Sequence, residues 1–361
     1  MKILMIGYYG YQNLGDDLFV KMLTSYFSQQ DFIEKILILC QDKYYRENHS
    51  KLKFIQTEKL SPLQRLFLLI QVDAMLWGGG TLSLNSQPKS LSRQQTICRF
   101  LGKTFAFLGI GLEVMNSTSN LKSISRFFSN ASFLYVRDQY SYDVAQNTLQ
   151  INPLKLHLGG DLAFLNLGFY EPFQKTAIQA TPQLKNLSFT GKHWWGEGRA
   201  EFYAQQLIPI IEKYNTIIHL IPAQIKTESN DNQFHEKLKN FLPSNQCEIH
   251  TWSHPEDYFK LLSQMDFHIG NRLHSIIAAD LIGVPNIGIG STGSKIDNYI
   301  IKTQTLSSQR VVDFMEPFSL EKVETILTHY KQPKAFILQE SQADQEGVQK
   351  FFQFNSKSSK H

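Results

Sequence analysis

Cysteine is scarce in this chain. Among 361 residues there are three, Cys40, Cys98 and Cys247, far apart and with no C-x-x-C pair. An odd, scattered set supports neither a disulfide framework nor a cysteine zinc site, and a reducing compartment is the simpler expectation. Long apolar runs are missing too. None reaches the roughly 18 residues that a membrane span needs. The nearest, 66–77, is interrupted by Gln71 and Asp73. The stretch from Met1 to Gly7 lacks the extended apolar core of a signal peptide. Charge of one sign is also in short supply, with a net charge of +4 and no dense Lys/Arg stripe. That excess is too small and too dispersed for a nucleic-acid footprint, and no nucleic-acid partner is expected. It suits small anionic substrates and leaves loose contact with an acidic membrane surface open. The expectation is a cytoplasmic protein, with work at the inner face of a membrane left open.

Several catalytic signatures are absent as well. The chain has no G-x-x-x-x-G-K-[ST] phosphate loop, no H-E-x-x-H, no G-x-S-x-G and no D-x-D. With no paired cysteines either, no metal ligand set is expected.

What is present is globular: 42% hydrophobic and 19% charged residues, in a chain long enough for two cores. Short apolar runs alternate with helix-length amphipathic stretches. Strands are expected at 2–7, 35–40, 72–77, 104–110, 133–136 and 154–158, with helices at 16–29, 61–70, 119–128 and 139–149. The rhythm lapses over 166–183, which holds Gly168, Pro172 and Pro182 and reads as a linker. A second series comes after it, with strands at 187–190, 217–221, 248–252, 266–269 and 284–289. Helices at 199–214, 232–241, 255–264 and 273–281 separate them. This alternation predicts an α/β fold of two doubly wound domains facing a cleft, each a parallel sheet covered on both sides. The expected division is 1–175, 176–332 and a polar C-terminal tail, 333–361. Ligands of such sheets bind beyond the carboxyl ends of the strands.

The informative residues do come directly after strands. The turn Gly7 to Asp17 contains Asn13, Gly15 and Asp16 and leads into the first helix. Asp16 there is either a helix-start carboxylate or a group able to move a proton. The triplet Gly78-Gly79-Gly80, with Thr81 next to it, is either a plain flexible turn or a loop that permits close approach of backbone to a ligand. Arg137 and Asp138 end another strand, where they are either a surface ion pair of little consequence or place the arginine to fork onto a carboxylate or phosphate. Asp161, after Gly159-Gly160, is a turn residue or part of the cleft wall. The densest group is His268-Ile269-Gly270-Asn271-Arg272-Leu273-His274-Ser275, which starts a helix that ends at Gly283-Val284-Pro285. A lone histidine at His274 would read as a capping or core residue. Arg272, two positions earlier, turns the pair into a candidate site for a multiply charged anion. Lys295 adds a cation after the next strand or is a solvated helix-start lysine. Trp194, Trp195 and Trp252 could stack on sugar faces or pack in the core.

Taken in order, Asn13, Gly15 and Asp16, the glycine triplet, Arg137-Asp138, Arg272-Leu273-His274, Gly283-Val284-Pro285 and Lys295 resemble the pattern of the polysaccharide pyruvyl transferase family. The resemblance implies two Rossmann-like domains similar to GT-B glycosyltransferases. It implies phosphoenolpyruvate as donor substrate, with no cofactor required. The acceptor would be a sugar hydroxyl pair on a lipid-linked oligosaccharide, nucleotide sugar or glycan, and the product a pyruvate ketal. Residues at Arg137, Arg272 and His274 would hold the donor, and Asp16 would serve as acid/base. Two other functions stay open on the same residues: a nucleotide-sugar glycosyltransferase and a non-catalytic anion- or glycan-binding protein.

Overall fold

The computed structural model describes residues 1–42, 49–84, 89–113, 120–175, 184–226 and 228–358. Two compact units emerge. Unit 1 comprises Met1–Gly10, Asp16–Asn166 and Leu338–His361, and unit 2 comprises Tyr11–Gly15 and Leu167–Ile337.

Unit 1 is built on β1 (Lys2–Ile6), β2 (Lys35–Cys40), β3 (Leu52–Gln56), β4 (Ala74–Gly78), β5 (Thr81–Ser83), β6 (Thr104–Glu113), β7 (Phe133–Val136) and β8 (Leu156–Leu158). Their order is β3-β2-β1-β4-β6-β7-β8, with β5 paired to β6. Unit 2 carries β9 (Asn186–Thr190), β10 (Ile217–Leu220), β11 (Cys247–Ile249), β12 (Phe267–Gly270), β13 (Asn286–Ile289) and β14 (Val311–Val312). These run β11-β10-β9-β12-β13-β14. Every pairing between these strands is parallel. Strands covered on both faces need apolar side chains in succession. β1 supplies Ile3, Leu4, Met5 and Ile6, and β6 supplies Phe105 to Leu108, all buried. In each sheet the winding reverses beside the first strand of the unit, between β1 and β4 and between β9 and β12. Strand order in doubly wound folds makes that reversal the place where ligands bind.

The sequence pattern anticipates the long strands and misses three. β3 alternates buried and exposed residues at the sheet edge, while β5 and β14 are only three and two residues long. The boundary expected near 175 also differs. Leu167–Phe173 forms a 3-10 helix with buried Tyr170, already part of unit 2. Residues 176–183 of the expected linker lie outside the described residues.

The largest correction concerns the C-terminus, where the sequence suggests a polar tail. Lys334–Ser358 is instead a helix, and from Leu338 onward it belongs to unit 1. Its buried positions, Ile337, Ser341, Asp344, Val348 and Phe351, recur every three or four residues along one face. Two of those five are polar, which hides the stripe from a hydrophobicity pattern. Asp344 accepts a hydrogen bond from the Tyr135 hydroxyl, which also donates to Gly160 O at 2.8 Å. Burial and the nearby Asp161 and Glu340 hold the Asp344 carboxyl well above the usual range. Phe352 packs on Phe27 and Phe32 with centroids 5.4 and 5.0 Å apart.

Among the described residues, no helix is long and apolar enough to cross a membrane.

Phe351, fully buried against the unit 1 sheet, gives the docking of this helix a direct test. Phe351→Ala should destabilise the protein by about 3–5 kcal/mol in urea unfolding. An unchanged midpoint would mean that the helix does not pack there.

Candidate active site

In unit 1 the residues after β1 and β4 converge on one carboxylate. Asp16 sits in the first turn of the helix Leu14–Ser28, with Asp17 beside it. The glycine triplet turns the chain from β4 into β5, and Gly79 and Gly80 adopt φ values of +72° and +80°. Side-chain-bearing residues rarely adopt that backbone. Space is also short. A β-carbon at Gly79 would strike the Phe19 ring, and one at Gly80 would lie 3.1 Å from Asp16 Oδ1. Glycine therefore lets the backbone close over the carboxylate.

Arg137 is the counter-charge. It is buried, and its Nη1 donates to Asp161 Oδ2 at 2.9 Å, its Nη2 to Thr81 Oγ1 at 3.0 Å. Its Nε lies 3.6 Å from Asp138 Oδ2. Asp138 and Asp161 also cap helical turns, accepting from Ser141 N at 2.7 Å and Ala163 N at 3.1 Å. One guanidinium thus serves several carboxylates, and the balance falls against ionising Asp16. Burial pushes its pKa up from 3.8 to about 8. The charge of Asp17 and, more weakly, Asp161 add to the rise, and Arg137 opposes it. Burial and then Asp16 push the neighbouring Tyr9 phenol far up, and Tyr9 donates to Gly78 O at 2.7 Å.

Unit 2 gathers the opposite charge. The segment after β12 makes Arg272 the residue that precedes the helix Leu273–Ile282, placing Leu273 first and His274 second in it. The amides of this helix start favour anions. The helix is fixed at its far end. Gly283 caps it at φ +80°, the left-handed position that glycine fills readily, which accounts for the Gly-Val-Pro at that point. Asp280, in its last turn and fully buried, is bidentate to Arg310 Nη2 at 2.7 and 2.8 Å. It also accepts from Tyr330 at 2.8 Å and Tyr299 at 3.0 Å.

At the helix start, Arg272 forks onto buried Asp231, with Nε at 3.2 Å and Nη2 at 2.5 Å. Asp231 also accepts the backbone amides of His193, Ala223 and Gln224 at 3.3, 3.2 and 3.0 Å. It therefore ties together the loops after β9 and β10 and the arginine after β12. Lys192, in the loop after β9, joins the same field. Burial lowers its pKa, the positive charges of Arg272 and Lys295 lower it further, and Asp231 opposes them. Trp194 lies under both cations, 4.8 Å from Lys192 Nζ and 5.7 Å from the Arg272 guanidinium carbon. Arg272 and Lys192 thus bring positive charge beside Asp231, with Lys295 near enough to act on Lys192, an arrangement that suits an anion.

The Tyr11–Gly15 segment belongs to this unit. Asn13 pairs with Gln224 as an isolated antiparallel bridge, and its Oδ1 accepts the Gly15 amide at 3.1 Å. Leu14 N donates to Ala223 O at 2.9 Å. A β-carbon at Gly15 would collide with the His274 ring, so the glycine lets the loop seat against that histidine.

The sequence-derived residues thus fall into two sets. Asp16, Gly78, Gly79, Gly80 and Arg137 come together in unit 1. Asn13, Gly15, Arg272, Leu273, His274 and Lys295 all lie in unit 2. Arg137 and Arg272, both expected to hold the donor, each pair with carboxylates of their own unit: Arg137 with Asp161, alongside Thr81, and Arg272 with Asp231. Of the three tryptophans, Trp252 is a core residue donating to Pro222 O at 2.6 Å, and Trp195 packs on the unit 2 core. Trp194 is 59% exposed, and it alone of the three sits beneath the cations. Motif and spacing do not single out Lys192, His193 or Asp231. Lys192 and His193 do carry one signal, their place directly after the first strand of the second domain. Asp231 has no such signal in Ser229-Asn230-Asp231-Asn232.

The fold recurs in solved structures. UDP-GlcNAc 2-epimerase from Methanocaldococcus jannaschii superposes with a TM-score of 0.60 at 13% identity, covering 98% of this chain and 99% of that one. The Neisseria meningitidis UDP-GlcNAc 2-epimerase bound to UDP-GlcNAc gives 0.58 at 14%, covering 97% and 100%. A glycosyltransferase from Rickettsia africae ESF-5 gives 0.56 at 11%, covering 100% and 99%. At such identities the likeness establishes the fold, which is GT-B-like. No curated protein matches the chain in sequence. The family model for polysaccharide pyruvyl transferase matches residues 13–293, a span that includes both clusters' principal residues from Asn13 to His274. The chain belongs to the polysaccharide pyruvyl transferase family.

Proposed function

We propose that this transferase takes phosphoenolpyruvate as donor and converts two hydroxyls of a sugar into a cyclic pyruvate ketal, releasing phosphate. The observation that carries the proposal is the positive cluster of unit 2, where Arg272, at a helix start, and Lys192 flank Trp194; in unit 1, separately, burial raises the pKa of the Asp16 carboxyl to about 8. Phosphoenolpyruvate needs both. Its carboxylate and phosphate are anionic, and its methylene carbon must gain a proton.

Asp16 gives its proton to the methylene carbon, which becomes the methyl group and leaves the adjacent carbon electrophilic. A sugar hydroxyl adds to that carbon, and the Asp16 carboxylate takes up the hydroxyl proton. A second hydroxyl then forms the other C–O bond as the bond to phosphate breaks. Its proton leaves with the phosphate through His274. Nothing is oxidised or reduced, so the chemistry calls for no redox cofactor. The residue pattern suggests Asp16 as base and His274 as acid, either to the donor carbon or at the departing phosphate. The raised Asp16 pKa favours Asp16 as acid first and base second, with His274 at the leaving phosphate. Arg272, Lys192 and Lys295 bind the donor's charges, and Arg137 tempers the rise that burial and Asp17 impose on the Asp16 pKa. The acceptor sugar is carried on a lipid-linked oligosaccharide, a nucleotide sugar or a glycan.

A nucleotide-sugar glycosyltransferase is the competing function, since the same cations would hold a diphosphate. Phosphate release from phosphoenolpyruvate, measured across sugar acceptors, separates the two. It should depend on acceptor, disappear in Arg272→Ala and show a raised KM in Lys192→Ala. Consumption of a UDP-sugar, with phosphoenolpyruvate untouched, would contradict the proposal.

The pH profile is set by Asp16. Turnover needs its protonated form, so kcat/KM should fall as pH rises through about 8. Asp16→Asn should lower turnover by about 10²–10⁴-fold. Stability has its own dependence on the same proton. The folded state binds this proton more tightly than the unfolded chain, so the contribution is complete below pH 3.8 and lost as pH rises through about 8. Asp16→Asn should therefore flatten the loss of stability between pH 3.8 and about 8 while it removes activity. A rate that stays level through pH 9 would exclude Asp16 as the acid.

A further inference from the structure

A second group of residues lies at the β11 edge of the unit 2 sheet and uses none of the side chains assigned above. His219 on β10 stands opposite Glu248 on β11 in the parallel register. His250 is two positions beyond Glu248, and its amide donates to Leu220 O at 2.9 Å, continuing the ladder. Strand alternation then sets all three side chains on one face. The imidazoles stack with centroids 5.1 Å apart and planes inclined by 28°.

Their ligand atoms converge. His219 Nδ1 and His250 Nε2 are 2.9 Å apart, and Glu248 Oε2 lies 3.7 and 3.6 Å from them. A circle through these three atoms has a radius of about 2.0 Å, the bond length of zinc to imidazole nitrogen and carboxylate oxygen. The outer contact is also in place. His219 Nε2 lies 3.1 Å from Asn186 Oδ1; in the tautomer that donates to Asn186, Nδ1 keeps its lone pair, and a metal would replace the hydrogen bond between Nδ1 and His250 Nε2. Ligating histidines are commonly oriented in this way by a hydrogen bond from the other nitrogen. Glu248 is 59% exposed in its side chain, which leaves a coordination position open to water.

We propose that His219, Glu248 and His250 form a binding site for a divalent transition metal of the zinc class, with water as the fourth ligand. Two imidazoles and a carboxylate select zinc, or its neighbours copper and nickel, over magnesium or calcium. The metal would join β11, a three-residue edge strand, to β10 and so secure the border of the sheet.

The test uses the full chain stripped with chelator and then titrated with zinc, and separately with cobalt(II) for its visible ligand-field spectrum. Wild type should take up one zinc per chain, gain thermal stability and give a four-coordinate cobalt spectrum. Glu248→Gln, at an exposed position, should keep the metal-free melting temperature and lose zinc affinity by at least about tenfold, as should His250→Gln. Asn186→Ala should weaken binding through the orientation of His219. No stoichiometric uptake by wild type would overturn the site, and so would equal uptake by wild type and Glu248→Gln.

Discussion

Both sheets are parallel throughout, and each reverses its winding beside its first strand. That constraint decides where chemistry can sit. Strands that all point one way bring their succeeding loops to one end of the sheet, and the reversal keeps two of those loops from being covered by a crossover helix. In unit 1 the loops after β1 and β4 provide Asp16 and the glycine triplet. In unit 2 the loops after β9 and β12 provide Lys192, His193 and Arg272. The helices and the core serve to hold these ends in place. The Asp280–Arg310 pair anchors the helix behind Arg272, and the C-terminal helix is tied to β7 through Tyr135 and Asp344.

The two clusters use burial in opposite senses. Around Asp16, desolvation and neighbouring carboxylates outweigh a single guanidinium, so the group holds its proton. Around Lys192, desolvation and two further cations outweigh a single carboxylate, so the proton is held less tightly than on an ordinary lysine. Each cluster is left with an imbalance that a reactant can relieve: a proton to give in one unit, a net positive field in the other. Arg137 and Asp231 are the compensating charges, and each is itself buried and held by several hydrogen bonds.

Much of this is legible in the residue order. Apolar runs identify most strands, because a strand covered on both faces must be apolar throughout. Asp16, the glycine triplet, Arg272 and His274 can be picked out because they come directly after such strands. The misreadings have physical reasons. The C-terminal helix buries Ser341 and Asp344 in its stripe, so its pattern reads as polar. The partners of Arg137, Asp161 and Thr81, are not legible in the sequence, because they come from two other segments twenty-four and fifty-six positions away. Asp231 lies in a polar run before a helix, and its partners, Arg272 forty-one positions away and the amides of His193, Ala223 and Gln224, are not visible in the chain order. His219, Glu248 and His250 meet through strand register, which spacing alone cannot supply.

The proposed chemistry turns on the proton of Asp16, and carboxyl carbon-13 NMR reads that proton directly. With the signal assigned by its loss in Asp16→Asn, the resonance of the ligand-free protein can be followed across pH. A proton-donating Asp16 requires a midpoint near 8. A midpoint near 3.8 would leave Asp16 ionised throughout the working range and would contradict its role as the acid that starts the reaction.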